Sequence, residues 1–276
     1  MGKRLRWTLV SGAGFCLACV ALSVADSPAD PIASASYCPT IIDRCAGGGA
    51  RNEVEVVLNS SFKPTKLPKN KLAPVHFGVE GAIGMPDGSH PPPLRELTLE
   101  IDRNVALDAQ GLPACGLKKI KGATTSQALK ACRPALVGEG KMDFVVAYPE
   151  QSPLPPASHV AMFNAGIKDG KTTIYIHAYL SYPVSEPVVM TIKASKVHGG
   201  RYGTKLAISI PPIAKGYGFI KKFQLELFRR FAYRHEKQSF LKARCFDGKL
   251  QAGAEFTFSE GPPLVGIFRR PCTAKG

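Results

Sequence analysis

The sequence lacks the residue groupings that most catalytic and metal chemistry requires. Its six histidines, His76, His90, His159, His177, His198 and His235, show no H-x-H or H-E-x-x-H spacing, so a catalytic zinc is not indicated. No G-x-S-x-G elbow occurs anywhere, which leaves the glycine turn His198-Gly199-Gly200 without the nucleophile that an esterase would need. The only tryptophan is Trp7, so the Cys-Trp-Cys core of immunoglobulin domains is missing. Acidic residues are few, 21 against 36 basic, for a formal net charge of +15. No cofactor motif is present, and none is expected. What is plentiful is punctuation: 23 prolines and 27 glycines cut the chain into short segments, which suits an all-β domain and excludes a helical bundle.

The first 25 residues point to export. Lys3, Arg4 and Arg6 precede an uncharged apolar stretch from Thr8 to Val24, and Ser23-Val24-Ala25 offers the small residues of a cleavage site. Residues 1–25 are therefore expected to be a signal peptide, and 26–36, DSPADPIASAS, a flexible leader. A second cleavage site after Ala33-Ser34-Ala35, a retained anchor and a lipidated Cys19 stay open as alternatives. The remainder, 37–276, is expected to be one domain, extracellular or attached to the cell envelope, and not an integral membrane protein once processed.

Cysteine usage agrees with an oxidising compartment. Removal of Cys16 and Cys19 leaves an even set, Cys38, Cys45, Cys115, Cys132, Cys245 and Cys272, with no C-x-x-C to suggest zinc. Six cysteines allow fifteen pairings. Proximity suggests Cys38 with Cys45, Cys115 with Cys132 and Cys245 with Cys272, each bond contributing roughly 2–4 kcal/mol.

Period-two patterning dominates from residue 54 onward. Val54, Val56 and Leu58 alternate; so do Val75, Phe77 and Val79, and Leu97, Leu99 and Ile101 against Glu96, Thr98, Glu100 and Asp102. Further alternation runs through Met142 to Tyr148, Ile174 to Leu180, Leu206 to Ile210, and Phe256 with Phe258, which reads as half-buried strands. One short helix is expected near 124–133, capped by Thr124-Thr125-Ser126 and ended before Pro134. The stretch from Phe219 to Tyr233 fits both periods. A strand is the preferred reading, with a polar hairpin tip at 233–237 and a returning partner from Ser239 to Cys245. Eleven or twelve antiparallel strands imply an all-β fold, either a two-sheet sandwich or a related barrel.

Several turns and strand ends, Asp87-Gly88-Ser89 with Pro91-Pro92, Gly111-Leu112-Pro113-Ala114-Cys115, the run Ala135 to Gly140 and Tyr202-Gly203, together with the Cys245 to Cys272 pair, resemble a group of uncharacterised secreted proteins of actinobacteria with a shared disulfide frame. The resemblance implies secretion and a common β fold. It implies no catalytic residue and no assigned activity.

Charge carries the one functional message legible at this level. Residues 190–250 hold fourteen basic and three acidic side chains, whereas 26–189 balance. The candidate anion-binding residues are Lys221, Lys222, Arg229, Arg230, Arg234, Lys237, Lys242 and Arg244, interleaved with Phe223, Phe228, Phe231, Tyr233 and Phe240. Such a face suits an anionic glycan, lipid head groups or another polyanion without specific nucleic-acid recognition. The acidic strand face of Glu96, Glu100 and Asp102 reads as a wet face rather than paired catalytic carboxylates. The expectation is thus a non-catalytic exported protein acting by surface binding; the alternatives are a secreted hydrolase with an unrecognised site and a purely structural envelope component.

Overall fold

The structure is a computed structural model, and it describes residues 43–46 and 54–275. In chain order, β1 (Asp43–Ala46), β2 (Glu55–Lys63), β3 (Lys66–Pro68), β4 (Ala73–Pro74), β5 (His76–Gly84), β6 (Leu94–Asp102) and β7 (Val105–Leu107) precede the helix α1 (Thr125–Cys132). After the helix come β8 (Leu136–Val146), β9 (Ala157–Lys168), β10 (Lys171–Leu180), β11 (Glu186–Lys196), β12 (Tyr202–Ser209) and β13 (Gly218–Leu227). The chain ends with β14 (Arg230–Tyr233), β15 (Glu236–Ser239), β16 (Leu241–Ala243), β17 (Lys249–Phe258), β18 (Leu264–Pro271) and β19 (Thr273–Lys275).

Twelve of these strands form one antiparallel sheet in the order β1-β2-β5-β13-β8-β9-β10-β11-β12-β6-β17-β18. A sheet of this many twisted strands curls, and its edge strands β1 and β18 come into contact, so it nearly closes into a barrel. Of the two architectures left open by the sequence, the barrel is the one formed. Inward positions follow the alternation: Val56, Leu58, Ser60 and Phe62 on β2, Phe223, Leu225 and Leu227 on β13, and Leu264, Gly266, Phe268 and Arg270 on β18. Outward positions such as Lys222, Gln224 and Glu226 are exposed. An apolar inside with a polar outside is the reverse of a membrane-spanning barrel, whose outer band is apolar. No helix among the described residues is long and apolar enough to cross a membrane.

Two additions complete the barrel. On the outside, α1 covers β9 and β10. Thr124 and Gln127 form a reciprocal capping box, with the Gln127 N–H donating to Thr124 Oγ1 at 3.3 Å and the Thr124 N–H to Gln127 Oε1 at 2.8 Å. The helix buries Ala128 and Cys132 against Ala161, Phe163, Ala165 and Tyr175, and the Cys115–Cys132 disulfide ties it to the preceding loop. Strand β9 is thereby buried on both faces, which explains its lack of alternation. The second addition closes one end of the barrel: β16 pairs with β4 and β7, and Leu67, Val75, Leu241, Ala243 and the buried Cys245 pack beneath. The Cys245–Cys272 disulfide staples this cap. The expected Cys38–Cys45 bond, the signal segment and the leader lie outside the described residues.

The region around 219–245 differs in detail from the sequence reading. Phe219 to Leu227 is a strand, but β13 lies in the barrel wall between β5 and β8. The hairpin is the separate β14–β15 pair, turned at Arg234 and His235, whose φ values are 50° and 62°. A two-residue turn with both φ positive matches the natural strand twist. The continuation to Ala243 then leaves for the cap.

A cavity inside the barrel and the surrounding charged groups

The barrel interior is filled at one end and hollow at the other. Phe144, Val146, Leu180, Ile213 and Phe258 pack the first end, each 6 % exposed or less. Toward the cap, where side chains project inward without meeting, a cavity of about 280 Å³ remains. Its walls come from β2, β5, β6, β9, β10, β11, β12, β13, β17 and β18, and its floor from Val105, Leu107, Leu241 and Ala243 of the cap. Apart from Ser60, Thr204, Gln251 and Arg270, every lining residue among those described is apolar. Gln251 is engaged elsewhere: its Nε2 donates to the Tyr202 hydroxyl at 2.9 Å and its Oε1 accepts from Arg269 Nε at 3.0 Å. Arg270 stands at the cavity wall with Nε donating to the Ser60 carbonyl at 2.8 Å and Nη1 to the Arg269 carbonyl at 2.9 Å.

A cavity of this size is a thermodynamic burden for an empty barrel. At ~24 cal/mol per Å³, unfilled core volume of about 280 Å³ corresponds to roughly 7 kcal/mol of forgone packing. That is comparable with the whole stability of many domains, about 5–15 kcal/mol. A cavity lined this way offers water few polar partners.

The candidate anion-binding residues are distributed over several elements. Lys221 and Lys222 are exposed on the barrel wall, with Lys222 opposite Asp143 of β8. Arg230, Arg234 and Lys237 are exposed together on the β14–β15 hairpin, with the Arg234 guanidinium 5.2 Å from the Tyr233 ring. Arg229 is half-buried and donates to the Pro134 carbonyl at 3.3 Å. Lys242 is paired with Asp108 at 2.8 Å and bonded to Gln238. Arg244 donates to Asn104 Oδ1 at 2.8 Å.

The acidic strand face requires a correction. Glu96 is exposed and Glu100 half-buried, whereas Asp102 has no solvent exposure. It ends β6 at a tight turn, where it accepts from the Asn104 N–H and Nδ2 at 2.9 Å each and from the Gln251 N–H at 3.0 Å. Arg201 completes it at 2.6 Å. The hydrogen bonds that Arg201 donates to Asp247 and the charge of Asp102 raise the Arg201 pKa further above its ordinary value, against the opposing effect of burial. Period-two reasoning missed this because a carboxylate that satisfies turn N–H groups is drawn inward whatever its parity.

His177 is likewise buried, under α1, with Nε2 3.0 Å from the Ala123 carbonyl. Burial lowers its pKa below the usual histidine value, partly offset by hydrogen bonds to the Ala123 and Ile120 carbonyls. Its Nδ1 has no hydrogen-bond partner among the described residues. His198 is exposed, and Gly199 and Gly200, with φ of 89° and 68°, form the turn between β11 and β12. Among the described residues no group of three His, Cys, Asp or Glu side chains is placed to hold a metal ion. Compared with known family models, curated proteins and solved structures, the chain matches none.

Proposed function

We propose that the protein is an exported, non-catalytic binding protein that carries a small apolar ligand inside its barrel. The observation that carries this reading is the apolar cavity of about 280 Å³, whose unfilled volume is better accounted for by an occupant than by a packing need of the fold. Export rests on the N-terminal basic and apolar pattern and on the two disulfides, which are compatible with an oxidising compartment. Among the described residues the lining offers hydroxyls only from Ser60 and Thr204 and no carboxylate or histidine, which favours holding a molecule over transforming it.

The test is uptake of the neutral apolar fluorophore N-phenyl-1-naphthylamine. Saturable fluorescence enhancement at one site is expected, and it should vanish in Ala252→Phe, which places a ring into the cavity from β17. The same substitution should raise the melting temperature by filling space. Enhancement that survives Ala252→Phe unchanged would place the probe elsewhere and end the reading.

A second reading, attraction of a polyanion, is favoured by the shared exposure of Arg230, Arg234 and Lys237 on one hairpin. It predicts retention on heparin that is lost steeply with salt. Flow-through at about 50 mM salt would remove it.

A further inference from the structure

We infer that the outer layer over β9 and β10 is a membrane-contact surface, at which lysines meet the head groups of an anionic phospholipid bilayer and Leu117 and Ile167 enter its interface. The surface lies on the outside of the barrel and stands on observations independent of the cavity.

The charge is local. Segments 116–133 and 167–171 together hold seven basic side chains and one acidic, Asp169, although 26–189 as a whole balances. Lys118, Lys119, Lys121, Lys168 and Lys171 are all exposed. Among the described residues none of the five is ion-paired with a carboxylate. Lys168 Nζ donates instead to the Tyr175 hydroxyl at 3.1 Å. Lys168 and Lys171 also stand directly opposite one another in the ladder of β9 with β10. Like charges in that position destabilise a ladder, and an anion arriving between them relieves the repulsion.

Tertiary bonds bring the two segments together and hold them. The Cys115 N–H donates to the Asn164 carbonyl at 2.8 Å. The buried Asn164 side chain donates through Nδ2 to the Leu112 and Pro113 carbonyls at 3.2 and 2.9 Å, and its Oδ1 accepts from the Gly166 N–H at 3.1 Å. Leu117 lies two residues and Ile167 three beyond this junction, so the backbone carries neither more than about 11 Å from it. The Cys115–Cys132 bond and the buried Ile120 anchor the layer, and the β9–β10 turn is set by Asp169 and Gly170, with φ of 51° and 71°. On this frame Ile167 is 65 % exposed and Leu117 38 %. Apolar side chains held out among unpaired lysines match a bilayer interface, which offers anionic head groups and acyl chains in one place. A soluble polyanion would meet the lysines and leave Ile167 in water. Strands β9 and β10 are the sixth and seventh of the twelve, so the surface lies across the barrel from its β1 and β18 edges.

The experiment is co-sedimentation of the whole protein with vesicles of phosphatidylcholine alone, or of phosphatidylcholine and phosphatidylglycerol in equal parts. Binding to the mixed vesicles is expected, at least about tenfold weaker on the neutral ones. Lys118→Gln with Lys119→Gln should weaken it about 25-fold, at about fivefold per lysine. Ile167→Ser should weaken it about tenfold through lost apolar burial while leaving retention on heparin unchanged. Lys221→Gln with Lys222→Gln, on the barrel wall away from this layer, should change vesicle binding by less than about twofold. Tryptophan emission of Ile167→Trp should shift to the blue on mixed vesicles beyond any shift of the wild type. Melting temperatures of these surface variants within about 2 °C of the wild type show that the fold is kept. Equal binding to neutral vesicles, or binding that withstands loss of the lysine pair, overturns the surface. Wild-type binding by Ile167→Ser, or no added shift in Ile167→Trp, overturns entry into the bilayer and leaves a polyanion contact. Uptake of N-phenyl-1-naphthylamine tests the cavity separately, so failure of one reading is distinguishable from failure of the other.

Discussion

Joint replacement of Cys245 and Cys272 by alanine tests how the cap is held over the cavity. The bond spans 27 positions, and the loop-closure relation gives about 12 cal/mol/K, or roughly 3.6 kcal/mol at 25 °C, lost from the constraint on the unfolded chain. The folded side of the balance should change less, because the Cys245 N–H still bonds the Pro68 carbonyl at 3.0 Å and the Cys272 N–H the Gly248 carbonyl at 2.9 Å. The Cys115–Cys132 bond spans 17 positions and by the same relation is worth about 3.1 kcal/mol, so it serves as an internal standard. Urea unfolding followed by circular dichroism reads both, with a larger m value expected for each variant as the unfolded chain expands. Losses of about 3–4 kcal/mol, with the 245–272 variant at least as affected, support the account. A loss below about 1 kcal/mol for that variant would show that the cap is held by its ladders, and the entropic reasoning would then be wrong for this bond.

Four other perturbations follow. Asp102→Ala leaves three donors, the Asn104 N–H and Nδ2 and the Gln251 N–H, and Arg201 without this acceptor; a loss of about 3 kcal/mol or more is expected in chemical unfolding, with Asp102→Asn recovering part of it. For His177, whose pKa is lowered in the folded state, the unfolded chain binds the proton first as pH falls. Stability from this group is therefore full above about pH 6.5 and declines below it, a slope that should flatten in His177→Gln when melting temperatures are compared between pH 7.5 and 5. Gly140→Ala would set a methyl 2.0 Å from the Gln224 carbonyl oxygen and 2.9 Å from Leu225, so a cost of at least about 1–3 kcal/mol is expected in the same unfolding assay. Thr124→Ala should cost about 1 kcal/mol by removing the cap of α1, and its amide exchange should rise first in the helix.

Some of these elements were legible in the chain itself and others were not. Alternation at Leu97, Leu99 and Ile101 and at Ile174 to Leu180 marked strands correctly because side-chain parity is a local property of an extended backbone. The helix at 125–132 was legible for the same reason, since Thr124 and Gln127 cap it within one turn. Strand β9 was not, because its outer face is covered by α1 and carries no polar signal. The hairpin tip at 234–235 was found, yet the partners of β13 were misplaced, since β5 and β8 lie far away in the chain. Sequence proximity likewise drew eight basic residues together. Register then set Lys222 opposite Asp143 and committed Lys242 to Asp108.

The linear sequence by itself determined that this is an all-β chain with one short helix and cysteines that pair with near neighbours, because parity, capping and short-loop closure act over few residues. Only the tertiary structure decided that twelve strands curl far enough to leave a hollow. Leu99, Leu206 and Leu225 would read identically in a filled core, and whether such side chains meet depends on the barrel's radius, a distance no local pattern encodes. The same holds for Arg270 of β18, which bonds the carbonyl of Ser60, 210 positions away.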